Sequence, residues 1–121
     1  MKFKYKRILV KFSGEALAGT KSFGLDFKAV RAIAKELVTL RQSGVDLAVV
    51  VGGGNIFRGK SIPRDSIDQS TADYMGMIGT VINALALQAE IEKAGGECRV
   101  LTALSMKEVA EDYLRRKATS H

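Results

Sequence analysis

Residues 47–59 read Leu-Ala-Val-Val-Val-Gly-Gly-Gly-Asn-Ile-Phe-Arg-Gly, a run of five apolar residues that passes directly into three consecutive glycines. This junction restricts the possible folds more than any other stretch. A half-wet strand would alternate apolar and polar residues, so an unbroken β-branched run suits a parallel strand covered on both faces. Three glycines in a row form neither helix nor strand well. They fit where the backbone must take positive φ or come very close to a ligand. With Arg58 four residues after the last glycine, the natural ligand is a phosphate.

The rest of the chain alternates strand and helix. Residues 7–12 form a short apolar strand, followed by a glycine-spotted loop over residues 13–24. Asp26 is placed to cap a helix in which Val30, Ile33, Leu37 and Leu40 recur at helical spacing, and Gly44 supplies its stop. Residues 45–51 are the second strand. After the glycine loop and the single proline, Pro63, a long helical pattern runs from about Asp68 to Ala94, with Met75, Ile78, Ile82, Leu85 and Ala89 on one stripe. Gly76 and Gly79 inside it each cost about 1 kcal/mol relative to alanine, which implies that another helix or a ligand lies close. A third strand over residues 98–102 and an amphipathic helix over residues 107–118 complete a βαβαβα order. That order implies an α/β fold, a parallel sheet with right-handed crossovers and helices layered on it.

A chain of 121 residues can bury a core as one domain without staples. Its hydrophobic fraction is 46% and its one cysteine, Cys98, reads as a small buried apolar residue, which fits a reducing cytosol rather than a disulfide scaffold. Lys11 interrupts the apolar run near the N-terminus too early for a signal-peptide core. No stretch approaches the ~20 apolar residues of a membrane span. The net charge of +6 gathers in Lys2, Lys4, Lys6 and Arg7 and again in Arg115, Arg116 and Lys117. It lacks the interleaved aromatics or single basic helix face of a nucleic-acid module, so it reads as solvated element ends that also attract anions.

Ligands of parallel sheets gather at the carboxyl ends of the strands. The first strand ends in Lys11-Phe-Ser-Gly14 and the second in Gly52-Gly-Gly54, which would bring Lys11, several backbone amides and Arg58 around one crevice. Phosphoryl transfer asks for little more than positioning and fixed positive charge. The only histidine is the last residue, His121, and no serine has a base nearby in sequence, so covalent catalysis has little support. Two other phosphate motifs compete. Gly54-Asn-Ile-Phe-Arg-Gly-Lys-Ser61 satisfies the P-loop pattern, but residues 62–67 show no amphipathic helix start and no later strand ends in an aspartate for Mg²⁺. The dinucleotide fingerprint fails because Phe57 stands where the third glycine belongs.

Four segments, Lys11-Phe-Ser-Gly-Glu-Ala-Leu17, Phe23-Gly-Leu-Asp26, Gly52-Gly-Gly-Asn-Ile-Phe-Arg-Gly59 and Ala72-Asp-Tyr-Met-Gly-Met-Ile-Gly-Thr-Val-Ile-Asn83, together resemble the bacterial uridylate kinases, a branch of the amino acid kinase family. The resemblance runs from about Lys6 to the C-terminus. It implies a three-layer α/β/α sandwich with a mainly parallel sheet and ATP-dependent phosphorylation of UMP to UDP in pyrimidine nucleotide biosynthesis, with Mg²⁺. It also implies a homohexamer activated by GTP and inhibited by UTP, while the composition and apolar patterning imply a cytoplasmic protein with no nucleic-acid or membrane partner.

By the same resemblance, Lys11 and Arg58 would be catalytic, and Lys11, Phe12, Ser13, Gly14, Gly54 and Arg58 would contact ATP and its phosphates. Gly53 and Asp73 would bind UMP. Residues Gly19, Thr20, Lys21, Ser22, Phe23 and Gly24 would form an effector-linked loop, and no residue is assigned to a metal. Gln88 stands where relatives with a basic effector site carry an arginine. Members of the branch are about twice as long, the additional part supplying the adenosine pocket, a second uridylate-contacting segment and further strands. Residues 1–121 therefore correspond to the N-terminal, UMP-binding part, expected to be inactive alone. The alternatives are a non-catalytic nucleotide-binding fragment or, on the P-loop pattern, an NTPase.

Overall fold

The computed structural model describes residues 5–58, 63 and 65–121. Strand β1 (Arg7–Phe12) is followed by helices α1 (Gly14–Ala18) and α2 (Phe27–Gln42), strand β2 (Asp46–Val51), helix α3 (Gln69–Lys93), strands β3 (Leu101–Thr102) and β4 (Glu111–Asp112) and helix α4 (Arg115–Ser120). β1 and β2 pair in parallel from Arg7↔Asp46 to Phe12↔Val51. The bond from Gly52 N to Phe12 O, 2.9 Å, extends this pairing one step beyond the strands. Both strands therefore release their loops side by side at the carboxyl edge.

The helices start where their capping residues dictate. Asp26 accepts from Lys28 N at 3.0 Å and Asp68 from Thr71 N at 2.9 Å, each satisfying a donor that has no partner within the helix. Bonds to the Thr71 side chain and backbone hold the Asp68 carboxyl below its ordinary range. At the far end of α2, Gly44 takes φ +102° and turns the chain into β2. Val30, Ala34, Leu37 and Val38 of α2 pack with Leu17 of α1 and with Leu87 and Ile91 of α3 against Phe12, Leu47, Val49 and Val51 of the sheet. Full burial of a valine or leucine side chain contributes roughly 1.5–3 kcal/mol.

Several sequence expectations need correction. Residues 13–24 are not all loop, because Gly14-Glu-Ala-Leu-Ala18 forms α1 with Leu17 wholly buried. Among the described residues the β1–β2 sheet is covered on one face, since Leu9 of β1 is 68% and Val50 of β2 46% exposed on the side away from α2 and α3. The expected third strand shortens to Leu101–Thr102 and pairs with β4 rather than with β1 or β2. The expected helix over residues 107–118 is replaced by a turn, β4 and the short α4, because Glu111 N donates to Val100 O at 3.0 Å and Tyr113 N to Thr102 O at 2.8 Å. The stripe read on α3 is not its buried face. Met75, Ile78 and Ile82 are exposed, while Gly79, Asn83, Leu87, Glu90 and Ile91 turn inward. Cys98 is half-buried beside the core, and burial, aided by the charge of Glu92, pushes its thiol up.

Glu90 ties α3 to α2. Its side chain is 3% exposed and receives Arg31 Nε at 3.3 Å and Lys93 Nζ at 3.4 Å. Burial opposes its ionisation, but the two hydrogen bonds and the two positive charges outweigh burial and hold the carboxyl below its ordinary value. A depressed carboxyl contributes stability that is complete above its unfolded value and lost as pH falls through the folded one. The melting temperatures of the parent and Glu90→Gln should therefore differ near neutrality and converge in acid. A gap that stays constant across thermal melts from neutral to strongly acidic pH would remove Glu90 from this role.

Candidate functional site

The three glycines are packed tightly without needing unusual dihedrals. Among the described glycines positive φ occurs at Gly19, Gly24, Gly44 and Gly95, not at Gly52, Gly53 or Gly54. What the loop requires is close approach. A β-carbon on Gly53 would stand 3.0 Å from Thr80 N and 3.1 Å from Gly76 O, so the loop lies directly on the backbone of α3. Gly79 answers it from the helix, where a β-carbon would meet Ile56 Cβ at 3.4 Å and Gly53 O at 3.5 Å. The neighbour implied by a glycine inside the long helix is thus the glycine loop itself. A β-carbon on Gly76 would meet nothing within 4 Å.

The first loop is joined to the second in the same way. A β-carbon on Gly14 would lie 2.7 Å from Gly54 N and 2.9 Å from Asn55 N. Gly14 is buried, and Ser13 before it adopts the extended N-cap conformation of α1. Two of the sequence-derived phosphate residues, Gly14 and Gly54, are therefore in backbone contact although 40 positions separate them. Among the described residues nothing accepts a hydrogen bond from the Gly53 or Gly54 amide, whereas Ile56 N and Phe57 N both return to Gly53 O at 3.0 Å.

The charged candidates are placed around this junction. Arg58 folds back so that Nε donates to Gly54 O at 2.9 Å, and its Nη2 forms an ion pair with Glu15 at the start of α1. Lys11 is the penultimate residue of β1 and points to the open face, opposite Phe12, which packs on the core. No ion pair among the described residues uses Lys11. Asp73 lies exposed on the early part of α3 and accepts from Gln69 Nε2 at 2.8 Å, one turn before the Gly76 carbonyl that approaches Gly53. The structure thus joins Gly14, Gly53, Gly54 and Arg58 by contact, while Lys11 and Asp73 flank them on β1 and α3.

Residues 19–24 close the turn between α1 and α2. Gly19 has φ +61° and Gly24 φ +82°, Lys21 Nζ donates to Leu25 O at 3.2 Å, and Thr20, Lys21, Ser22 and Phe23 are exposed. Gln88 donates to Cys98 O at 3.2 Å, which commits it to the chain after α3. The P-loop pattern ends in residues 59–61, which lie outside the described residues. The helix described after the pattern begins at Gln69, not at the Gly-Lys-Ser sequence.

Three residues central to this geometry were missed by the sequence assignment. Glu15 holds Arg58, and Asn55 and Asn83, both almost wholly buried, bond to each other beneath the glycine loop. The signal available was the polar asparagine in each apolar segment, which demands a partner when buried. Among the described residues, no three His, Cys, Asp or Glu side chains converge to hold a metal, and no helix is long and apolar enough to cross a membrane.

The profile of the amino acid kinase family matches residues 6–120. The crystal structure of UMP kinase from Bacillus anthracis superposes with a TM-score of 0.87 at 40% identity, covering 97% of this chain and 48% of that one. UMP kinase from Ureaplasma parvum gives 0.85 at 29% identity, covering 98% of this chain and 50% of that one. The chain thus spans about half the length of the solved structures it matches. With its parallel β1–β2 pair, glycine loop and helical layer all falling within the matched residues, the chain belongs to the amino acid kinase family and has its α/β fold.

Proposed function

We propose that residues 1–121 are the N-terminal, UMP-binding part of a UMP kinase that phosphorylates UMP to UDP at the expense of ATP. The observation that carries this reading is the 40% identity with a UMP kinase over nearly the whole chain, coinciding with a glycine loop whose Gly53 and Gly54 amides have no acceptor among the described residues. In this reading an oxygen of the UMP phosphate attacks the terminal phosphorus of ATP, and the bond from that phosphorus to the departing ADP oxygen breaks. The work of the chain is to position and neutralise. Gly53 and Asp73 hold UMP; Phe12, Ser13, Gly14 and Gly54 line the phosphates; Lys11 and Arg58 supply fixed positive charge where it spreads over oxygens. Mg²⁺ enters with ATP as part of the second substrate. Membership of a cytoplasmic homohexamer, GTP activation and UTP inhibition through residues 19–24 belong to the same proposal.

A second reading is favoured by the share of the solved chains that is covered. With about half of the matched kinases represented, the chain could serve as a phosphate-binding part that cannot turn over. Calorimetric titration with UMP, and separately with Mg-ATP, at one ionic strength tests both. UMP binding with little ATP binding supports the UMP-binding assignment, and turnover of UMP then separates kinase from inactive fragment. Tight ATP binding without UMP binding would sink the assignment.

Arg58 gives a further check. An incoming phosphate must compete with Glu15 for the guanidinium, and both side chains are at least half exposed. Exposed pairs are worth up to about 1 kcal/mol, so Glu15→Gln should tighten UMP binding by up to about fivefold. Weaker binding by the variant in the same titration would instead make Glu15 a support of the site.

A further inference from the structure

Asn55 and Asn83 are 1% and 0% exposed, among the most deeply buried side chains described. Asn55 Nδ2 donates to Asn83 Oδ1 at 3.1 Å and to Gly24 O at 2.9 Å, while Asn83 Nδ2 donates to Asn55 Oδ1 at 2.7 Å and to Gly52 O at 2.7 Å. All four amide hydrogens are used, and rotating either amide would set oxygen against oxygen, so the pair admits one arrangement. Gly24 N returns a bond to Asn55 O at 2.7 Å. Three segments far apart in sequence, the turn at Gly24, the glycine loop and the middle of α3, thus meet on one fully satisfied polar knot. Two apolar residues would fill the same space without the risk of unmatched groups, but they would not fix the orientation of the loop backbone.

We propose that the Asn55–Asn83 pair is the positioning device of the glycine loop, setting the direction of the Gly52–Gly54 backbone and locking it to the chain at Gly24. Both side chains are buried, so they act through the loop backbone. The part concerning UMP rests on the reading that this loop binds its phosphate, whereas the locking of loop to turn does not. The pair makes the geometry of residues 19–24 and that of the loop a single variable, so a disturbance at either end reaches the other through two side chains. Bonds to Gly52 O and Gly24 O connect them directly.

Amide hydrogen exchange followed by NMR, on the parent chain and on Asn83→Ser, tests this. The shortened side chain cannot reach both Gly52 O and Asn55. Exchange of the Gly52 amide, which bonds to Phe12 O, and of the Gly24 amide, which makes no bond to residue 83, should accelerate together by about tenfold, as expected for one lost hydrogen bond of ordinary strength. Amides in the middle of α2 should keep their protection, and UMP affinity of the folded variant should fall by a similar factor. Unchanged exchange at Gly24, or uniform loss of protection throughout α2, would overturn the proposal by leaving the pair a merely structural contact. Should Asn83→Ser fail to fold, titrating the parent with UMP gives the second reading. The Gly24 amide and the side-chain amides of Asn55 and Asn83 must shift on saturation, and their indifference would overturn the proposal. Failure of the parent to bind UMP would reject the substrate assignment, while the exchange comparison still decides the lock.

Discussion

Replacing Lys11 with alanine is expected to lower turnover of UMP by roughly 10²- to 10³-fold while changing the UMP dissociation constant by no more than about threefold. The asymmetry follows from where Lys11 stands. It leaves β1 one residue before the loop that contacts Gly54, on the open face of the strand, and no carboxylate among the described residues pairs with it. Its ammonium is therefore available to a group that arrives. Negative charge on the transferring phosphoryl and the departing oxygen is arranged differently in the transition state than in the bound substrates, and a fixed cation counts in the rate to the extent that it favours the former. Steady-state kinetics and equilibrium titration of the active protein carrying this chain measure the two effects separately. Equal losses in turnover and binding would reduce Lys11 to a ground-state contact.

Arg58→Ala should act on the other side of that division, weakening UMP binding by roughly 10- to 150-fold, the equivalent of about 1.5–3 kcal/mol for charge-assisted bonds to phosphate. In the free chain the guanidinium is held over the loop by Gly54 O and Glu15, so its position beside the glycine amides is prepared before any ligand arrives. Arg58→Lys would retain the charge but not the planar fork and should recover only part of the affinity. Removal of Arg58 also leaves the Glu15 carboxylate unopposed near the phosphate. The double variant Glu15→Gln with Arg58→Ala should therefore bind UMP better than Arg58→Ala alone. Affinity unchanged by Arg58→Ala would exclude the residue from the site.

The sequence was most legible where a local rule and the tertiary fold agree. Asp26 caps the helix it was placed to cap, the long helix begins just after Asp68 as expected, Gly44 ends α2, and the β-branched run before Gly52 is a parallel strand. It misled where local patterns allowed two answers. Glycines at 14 and 19 suggested loop, yet Glu15, Ala16, Leu17 and Ala18 between them favour helix and bury Leu17. Val109, Ala110, Tyr113 and Leu114 have helical spacing, but bonds to Val100 and Thr102 draw the chain into β4, a case of tertiary pairing overriding propensity. Helix α3 is apolar around much of its circumference, so periodicity alone could not say which face turns inward. Asn83 and Glu90 sit on the buried face because each finds partners there, a fact invisible in hydrophobic spacing. In the candidate site, the glycines and Arg58 were readable from composition and order. The grip of Glu15 and the asparagine knot depend on residues brought together by folding.

The pairing register of β1 with β2 also bears on how the chain reaches this structure. Every residue of β2 meets a partner 39 positions earlier, from Asp46 with Arg7 to Val51 with Phe12, whereas α2 is built entirely from bonds four residues long. Closing so wide a loop costs entropy before the sheet returns any contact energy, which makes the strands the slow partners in folding and the helices the fast ones. Until that closure, Leu47-Ala-Val-Val-Val51, a stretch without charge or proline, stands open to other chains. Refolding yield should accordingly fall as protein concentration rises, with light scattering as its readout, and the segment that delivers the glycine loop is then the one most exposed to misassembly.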